Sequence, residues 1–216
     1  SLISGNEEMQ ELLAAFGGGG SASDIMFSAT FGIAAIATAA YIIQLLIRMH
    51  TEETTGRLGL VLSTGYSRTK WLLTHSSFAF MTGAAILLVT GLVTGVVYAL
   101  VGNMNVAEST LRLGGAILVQ LPAVFVLASI ATLCFAVIPQ KFIPAAWGML
   151  GGSLLIFQLA AILKLPRWVV NISPFSHTPI APAADISIAP LLILSSVFVA
   201  IYLVGIRIFA RRDLLT

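Results

Sequence analysis

Polar and apolar positions along the chain fall in long blocks, not in a short repeat. Five blocks hold no formally charged residue, at 25–47, 78–101, 113–138, 142–163 and 186–206. Each exceeds the ~20 residues that a helix rising ~1.5 Å per residue needs to cross a bilayer core. Alternation with a period of two is absent, and lipid leaves the backbone few ways to satisfy its donors and acceptors. The pattern therefore predicts an all-α, polytopic transmembrane helix bundle with five spans.

The breaks between blocks predict the rest of the layout. Residues 1–24 precede the first span as an amphipathic helix and a joint. Here "NEEMQELLAAFGGGG" sets Met9, Leu12, Leu13 and Phe16 on one helical face with Asn6 as its cap, and glycines 17–20 lack the Lys-Ser/Thr of a phosphate loop. In the third span Pro122 follows Gln120 and predicts a kink. "VIPQKFIP" predicts a tight turn in which Pro139 closes one helix and Pro144 lies in the first turn of the next. Gly91 with Gly95, and Gly148 with Gly152, are spaced so that helices could approach closely. Residues 164–185 carry Pro166, Pro174, Pro179 and Pro182, which forbid a long helix. Trp168, Val169, Val170, Ile172 and Phe175 are too apolar for a loop in water, so the expectation is an outer loop folded partly back into the interface.

Composition agrees and adds a direction. The chain has 216 residues, 58% hydrophobic and 9% charged, with mean hydropathy +0.99, outside the range of a soluble domain. Lys and Arg gather on the cytoplasmic side of membrane proteins. With the segment after the first span placed inside, the inner loops hold Arg48, Arg57, Arg68, Lys70, Lys141, Arg207, Arg211 and Arg212, and the outer segments only Arg112, Lys164 and Arg167. Glu7, Glu8, Glu11, Asp24, Glu108 and Asp185 then fall outside. The expectation is a multi-pass membrane protein, with the N-terminus of this sequence outside and its C-terminus inside. An odd number of spans, Ser1 at the start and no signal-like run before the first span read as a piece of a longer polypeptide with at least one span upstream. The net charge of +2 conceals this asymmetry and gives no reason to expect nucleic acid. Cys134, alone inside a span, reads as a small apolar core residue.

Candidate chemistry is sparse. His50 and His75 belong to the inner side and His177 to the outer, so the three cannot share a metal, and no metal site is expected. Ser173, Ser176 and His177 lack the nucleophile elbow and acid partner of a hydrolase. An ion-driven carrier keeps ionisable residues at membrane depth, each costing ~2.5 kcal/mol or more, and none of the five blocks has one. Gln44, Gln120 and Gln158, one in each of three spans, either line a polar path or bond helix to helix. Energy for any transport would come from elsewhere.

The most organised break is "TEETTGRLGLVLSTGYSR", at 51–68. Thr51 can cap a helix whose first turn holds Glu52 and Glu53, both favourable against a positive helix N-terminus. Leu58, Val61 and Leu62 share a face, and Gly65 supplies a left-handed stop. The expectation is one helix over 52–64, ~20 Å long and lying across the inner membrane surface. Ser67 then caps the next span, and Arg68, Lys70 and Trp71 anchor it. Gly56 and Gly59 each cost such a helix up to ~1 kcal/mol, so it needs something to pack on. The mixed signs of Glu52, Glu53 and Arg57 suit a cytosolic protein better than anionic lipid.

"YIIQLLIRMHTEETTGRLGLVLSTGYSRTKWLLTH" resembles the first inner loop of ABC-2-type permeases of the polyketide-antibiotic exporter family. "IPAAWGMLGG", "LPRWVVNISPFSHTP" and "FARRDLL" follow in the same order as in that family. The resemblance implies five spans of a six-span half, the second half of a permease. It implies that 51–68 is a coupling segment, with Glu52, Glu53, Arg57, Leu58, Leu62 and Arg68 contacting or positioning a separate ABC ATP-binding subunit. ATP and magnesium would belong to that partner, leaving this chain without a cofactor and without enzymatic activity of its own. The other permease half, membrane lipid and an apolar export substrate, antibiotic or drug-like or a lipid, would be the remaining partners. Gln44, Gln120 and Gln158 become candidates for the translocation path, and Ser173, Pro174, Phe175 and His177 for an outer gate. The alternative is a membrane anchor that holds a cytosolic protein and transports nothing.

Overall fold

A computed structural model describes residues 21–160, 163 and 165–212. The amphipathic segment expected ahead of the first span, most of the glycine joint included, lies outside the described residues. The described chain forms helices α1 (Ala22–Thr54), α2 (Arg57–Ser63), α3 (Arg68–Gly102), α4 (Val106–Leu118), α5 (Leu121–Val137), α6 (Phe142–Leu159), α7 (Arg167–Val170) and α8 (Ile188–Arg211), with 3-10 turns at Pro139–Lys141 and Pro174–His177. No strand occurs among the described residues. With α4 and α5 taken as one interrupted passage, five helical passages are long and apolar enough to cross a membrane. The protein is a multi-pass, all-α membrane bundle.

Successive passages run antiparallel, so Arg48, Arg57, Arg68, Lys70, Lys141, Arg207, Arg211 and Arg212 collect at one end of the bundle, the basic end. Asp24, Glu108 and Arg112 lie at the opposite end, where Arg112 Nη2 meets Asp24 Oδ1 at 2.7 Å. α1 has 33 residues and α3 has 35. Each is therefore ~50 Å long, well beyond a ~30 Å hydrocarbon core.

α5 forms the centre. Ala123, Val124, Leu127, Ala128, Ala131 and Phe135 are all buried, and the helix touches α1, α3, α6 and α8. Its start is the kink expected from Pro122: the helix breaks at Val119 and Gln120, with proline in the first turn of α5, where a missing N–H costs nothing. The preceding piece, α4, begins seven residues before the uncharged block, at Val106, because Asn105 caps it by accepting from the Glu108 N–H at 3.2 Å.

α3 and α4 pack tightly through one of the two glycine pairs. A Cβ added to Gly95 would lie 2.5 Å from Thr110 Cα, and one on Gly91 would lie 2.9 Å from Gly114 Cα. Gly148 and Gly152 have nothing within 4 Å of such a Cβ and stand on an open face of α6. α8 is exposed over most of its length and is held by aromatic contacts. Phe80 of α3 lies 5.2 Å from Phe125, 5.3 Å from Phe198 and 5.2 Å from Tyr202, ring centre to ring centre.

The helix expected over 52–64 is not a single element. α1 continues through Glu52 and Glu53 to Thr54, and Thr51 is an interior residue whose hydroxyl donates to the Ile47 carbonyl at 3.1 Å. Nothing in 48–55 breaks a helix, so α1 runs on until Gly56, which takes φ +75 and turns the chain. α2 is then only 7 residues long. The consequence is electrostatic: Glu52 and Glu53 stand at the negative end of α1, not at the positive end of a coupling helix. The stop at Gly65 (φ +86) and the Ser67 cap on α3, accepting from the Lys70 N–H at 3.2 Å, match expectation.

Candidate functional site

The basic end carries a small helical hairpin, α2, set between the ends of α1 and α3. Leu58 is buried to 1% exposure in the main core, and Leu62 packs against that core. The other face is bare: Leu60 is 73% exposed and Val61 is also exposed, as is Tyr66 in the turn that follows. Arg57 is exposed beside them. A helix this short is held by its packing, since two turns cannot sustain themselves in water. Leu58 therefore serves as the anchor, and the outward face stays free for another surface.

Glu52, partly exposed, lies 3.9 Å from His75 Nε2. Glu53 is placed differently. Its side chain is 1% exposed and both carboxylate oxygens accept from Arg212 Nη2 at 2.6 Å. The Arg212 guanidinium also lies over the rings of Phe135, 5.3 Å away, and Phe209, 5.1 Å away. Arg68 Nη1 donates to the Arg212 carbonyl. Trp71 stacks on Phe209, and His50 meets Phe135 and Phe142 edge-on. Three helices, α1, α5 and α8, thus meet at one guanidinium, and α3 reaches the backbone of the same residue.

At the opposite end, 165–185 folds over the bundle as a plug. Ser173, Pro174, Phe175 and Thr178 are buried, while Ser176 and His177 are exposed. Thr178 Oγ1 donates to Gln120 Oε1 at 3.0 Å, which fastens the segment to the break between α4 and α5. Ser28 of α1 fastens its far side, donating to the Ile180 carbonyl and accepting from the Ala183 N–H, both at 3.3 Å. His177 Nε2 donates to the Asn171 carbonyl at 2.9 Å and Ser176 Oγ to the Ser173 carbonyl at 2.7 Å, so neither hydroxyl pairs with the imidazole. An apolar cavity of about 450 Å³ opens between this segment, α5 and α8, with Ile172, Pro174 and His177 on one wall and Ile193 and Val197 on the other.

The three glutamines do not come together. Gln120 is buried at the break, whereas Gln44 and Gln158 are exposed on α1 and α6 and no hydrogen bond joins any two of them. Gln44 lies one turn from Arg48 and so belongs to the basic half of the bundle. Gln158 lies at the far end of α6. Sequence reasoning counted Arg212 as one of several topogenic charges and gave it no site role. Its partner is 159 positions away, and no local pattern links them.

Long apolar passages, a charged hairpin at one end and a folded plug at the other define a polytopic membrane protein. Residues 1–210 match the family model described as multidrug efflux system permease Rv1217c, C-terminal domain, and the chain belongs to that family. It is 31% identical over 209 residues to the multidrug efflux system permease protein Rv1217c of Mycobacterium tuberculosis (strain ATCC 25618 / H37Rv). That alignment covers 96% of this chain and 38% of the relative, so the chain spans well under half of the relative's length. The family agrees with the ABC-2-type resemblance carried by the sequence motifs.

Proposed function

We propose that this chain is the C-terminal membrane half of an ATP-driven exporter. The bundle moves apolar, drug-like compounds outward, and a separate ABC ATP-binding subunit supplies the energy at α2. The basic end faces the cytoplasm, as the excess of Lys and Arg there favours, in the plasma membrane of a bacterium. The observation that carries the reading is α2 itself. One side is pinned by Leu58, and the other presents Leu60, Val61 and Arg57 beyond the apolar passages, with Tyr66 exposed in the turn that follows. Exposed apolar side chains grouped on an element outside the bilayer mark a surface that something covers.

Gln44 on the open face of α1 supports a second permease half on that side, because a carboxamide turned toward lipid is costly without a partner. The plug suits an outer gate, since its two fastenings, to Gln120 and to Ser28, join it to the break between α4 and α5 and to α1.

The test is efflux from vesicles holding the complete permease and its ATP-binding subunit. Accumulation of an apolar dye that needs ATP, and stops in an ATPase-dead complex, is the expected result. Equal dye movement in the two complexes, or none in either, would favour the anchor alternative.

A further inference from the structure

We propose that Arg212 is the positioning residue through which displacement of α2 reaches the C-terminal span α8. The proposal rests on the reading of α2 as the lever that the ATPase pushes.

α2 has two roots in the bundle, the end of α1 and the start of α3. Both are tied to the same residue. On the α1 side, Glu53 is buried within two residues of the end of that helix, where the carbonyl dipoles repel an anion and burial makes an uncompensated carboxylate costly. Arg212 supplies the compensating charge, with both carboxylate oxygens 2.6 Å from Nη2. On the α3 side, Arg68, the first residue of that helix, donates to the Arg212 carbonyl. A push on α2 therefore arrives at Arg212 whichever root carries it.

Arg212 directly follows α8, whose other buried side chains are few. Movement of its backbone is movement of the end of that helix. The guanidinium is built to slide while it holds. It rides on the faces of Phe135 and Phe209, which impose little directional preference on a cation in their plane of contact. Nε and Nη1 are buried and have no hydrogen-bond partner among the described residues. Those donors are available to a second arrangement, as expected of an element with two packed states. Lysine would substitute only in part, because a point charge lacks the planar contact with the rings and the fixed fork of donors.

The experiment uses the complete permease with its ATP-binding subunit in proteoliposomes, reading ATP hydrolysis and dye efflux in one sample. Arg212→Ala is expected to leave co-purification with the ATPase and basal hydrolysis within about twofold of wild type, and to lower efflux per ATP by about tenfold, the usual scale of a coupling between sites. Arg212→Lys is expected to fall between the two, which keeps the test open should the alanine variant fail to fold. The exchange Glu53→Arg with Arg212→Glu is expected to recover part of the efflux that either single change removes. Unchanged efflux per ATP in both Arg212 variants would overturn the proposal. So would a parallel loss of assembly, hydrolysis and efflux in Arg212→Lys, which is the signature of a plain structural clamp. A wild-type complex without ATP-dependent efflux would instead sink the underlying reading of α2.

Discussion

Gly91 and Gly95 decide how closely α3 and α4 approach, because the space a side chain would fill is already occupied by backbone of the facing helix. Gly95→Val should destabilise the bundle by about 1–3 kcal/mol, as overpacking does. Gly148→Val, with no atom of a facing element within 4 Å of the new Cβ, should leave the melting temperature of the purified protein close to wild type. Thermal unfolding of both variants in one detergent makes the comparison. The two glycine pairs have identical spacing in the sequence, and nothing local says which of them faces a neighbour. That difference is set by the rotation of α3 and α6 in the assembled bundle. Glu53 teaches a similar lesson. An acidic pair after a threonine reads as a helix start, but the same residues finish α1, and their stability comes from an arginine that only tertiary structure brings near.

α2 was legible as an element but not in its bounds. The periodicity of Leu58 and Leu62 and the stop at Gly65 pointed to a helix, whereas the break at Gly56 looked only like a tolerated glycine. Gly56→Ala places a side chain at φ +75, which costs about 1–2 kcal/mol in the left-handed region. Open space around the site excludes a clash, so the backbone must change instead. The expected outcome is a protein that still inserts in the membrane but shows reduced ATP-dependent efflux, because α1 and α2 tend to merge and misdirect the hairpin. Wild-type efflux in Gly56→Ala would show that the bend is dispensable. Arg57→Glu changes only an exposed side chain of α2 and should weaken co-purification with the ATP-binding subunit while leaving the melting temperature of the permease unchanged. The interruption at Val119 and Gln120 was readable from Pro122. Its fastening to Thr178 was not, since the two are 58 positions apart.

The whole bundle follows from block lengths and the sorting of charge, which is why its class could be read from the sequence alone. The spans come from local hydropathy, and antiparallel succession does the rest. Topology has a direct check. With Cys134 replaced by serine, single cysteines at Ser176 and at Leu60 should behave oppositely toward a membrane-impermeant maleimide added to intact cells. The first should be labelled and the second only after permeabilisation, because the two exposed positions lie at opposite ends. What hydropathy could not supply are the long-range ties at each end, Glu53 to Arg212 and Ser28 to Ala183, each joining early and late parts of the chain.

The claim at the centre is that the bundle is driven from outside through the bare face of α2. A photo-reactive residue in place of Leu60, in the complete permease co-expressed with its ATP-binding subunit, tests it most directly. Irradiation should yield an adduct with the ATP-binding subunit. An adduct formed only with lipid, in a complex that still exports dye on ATP, would contradict the account.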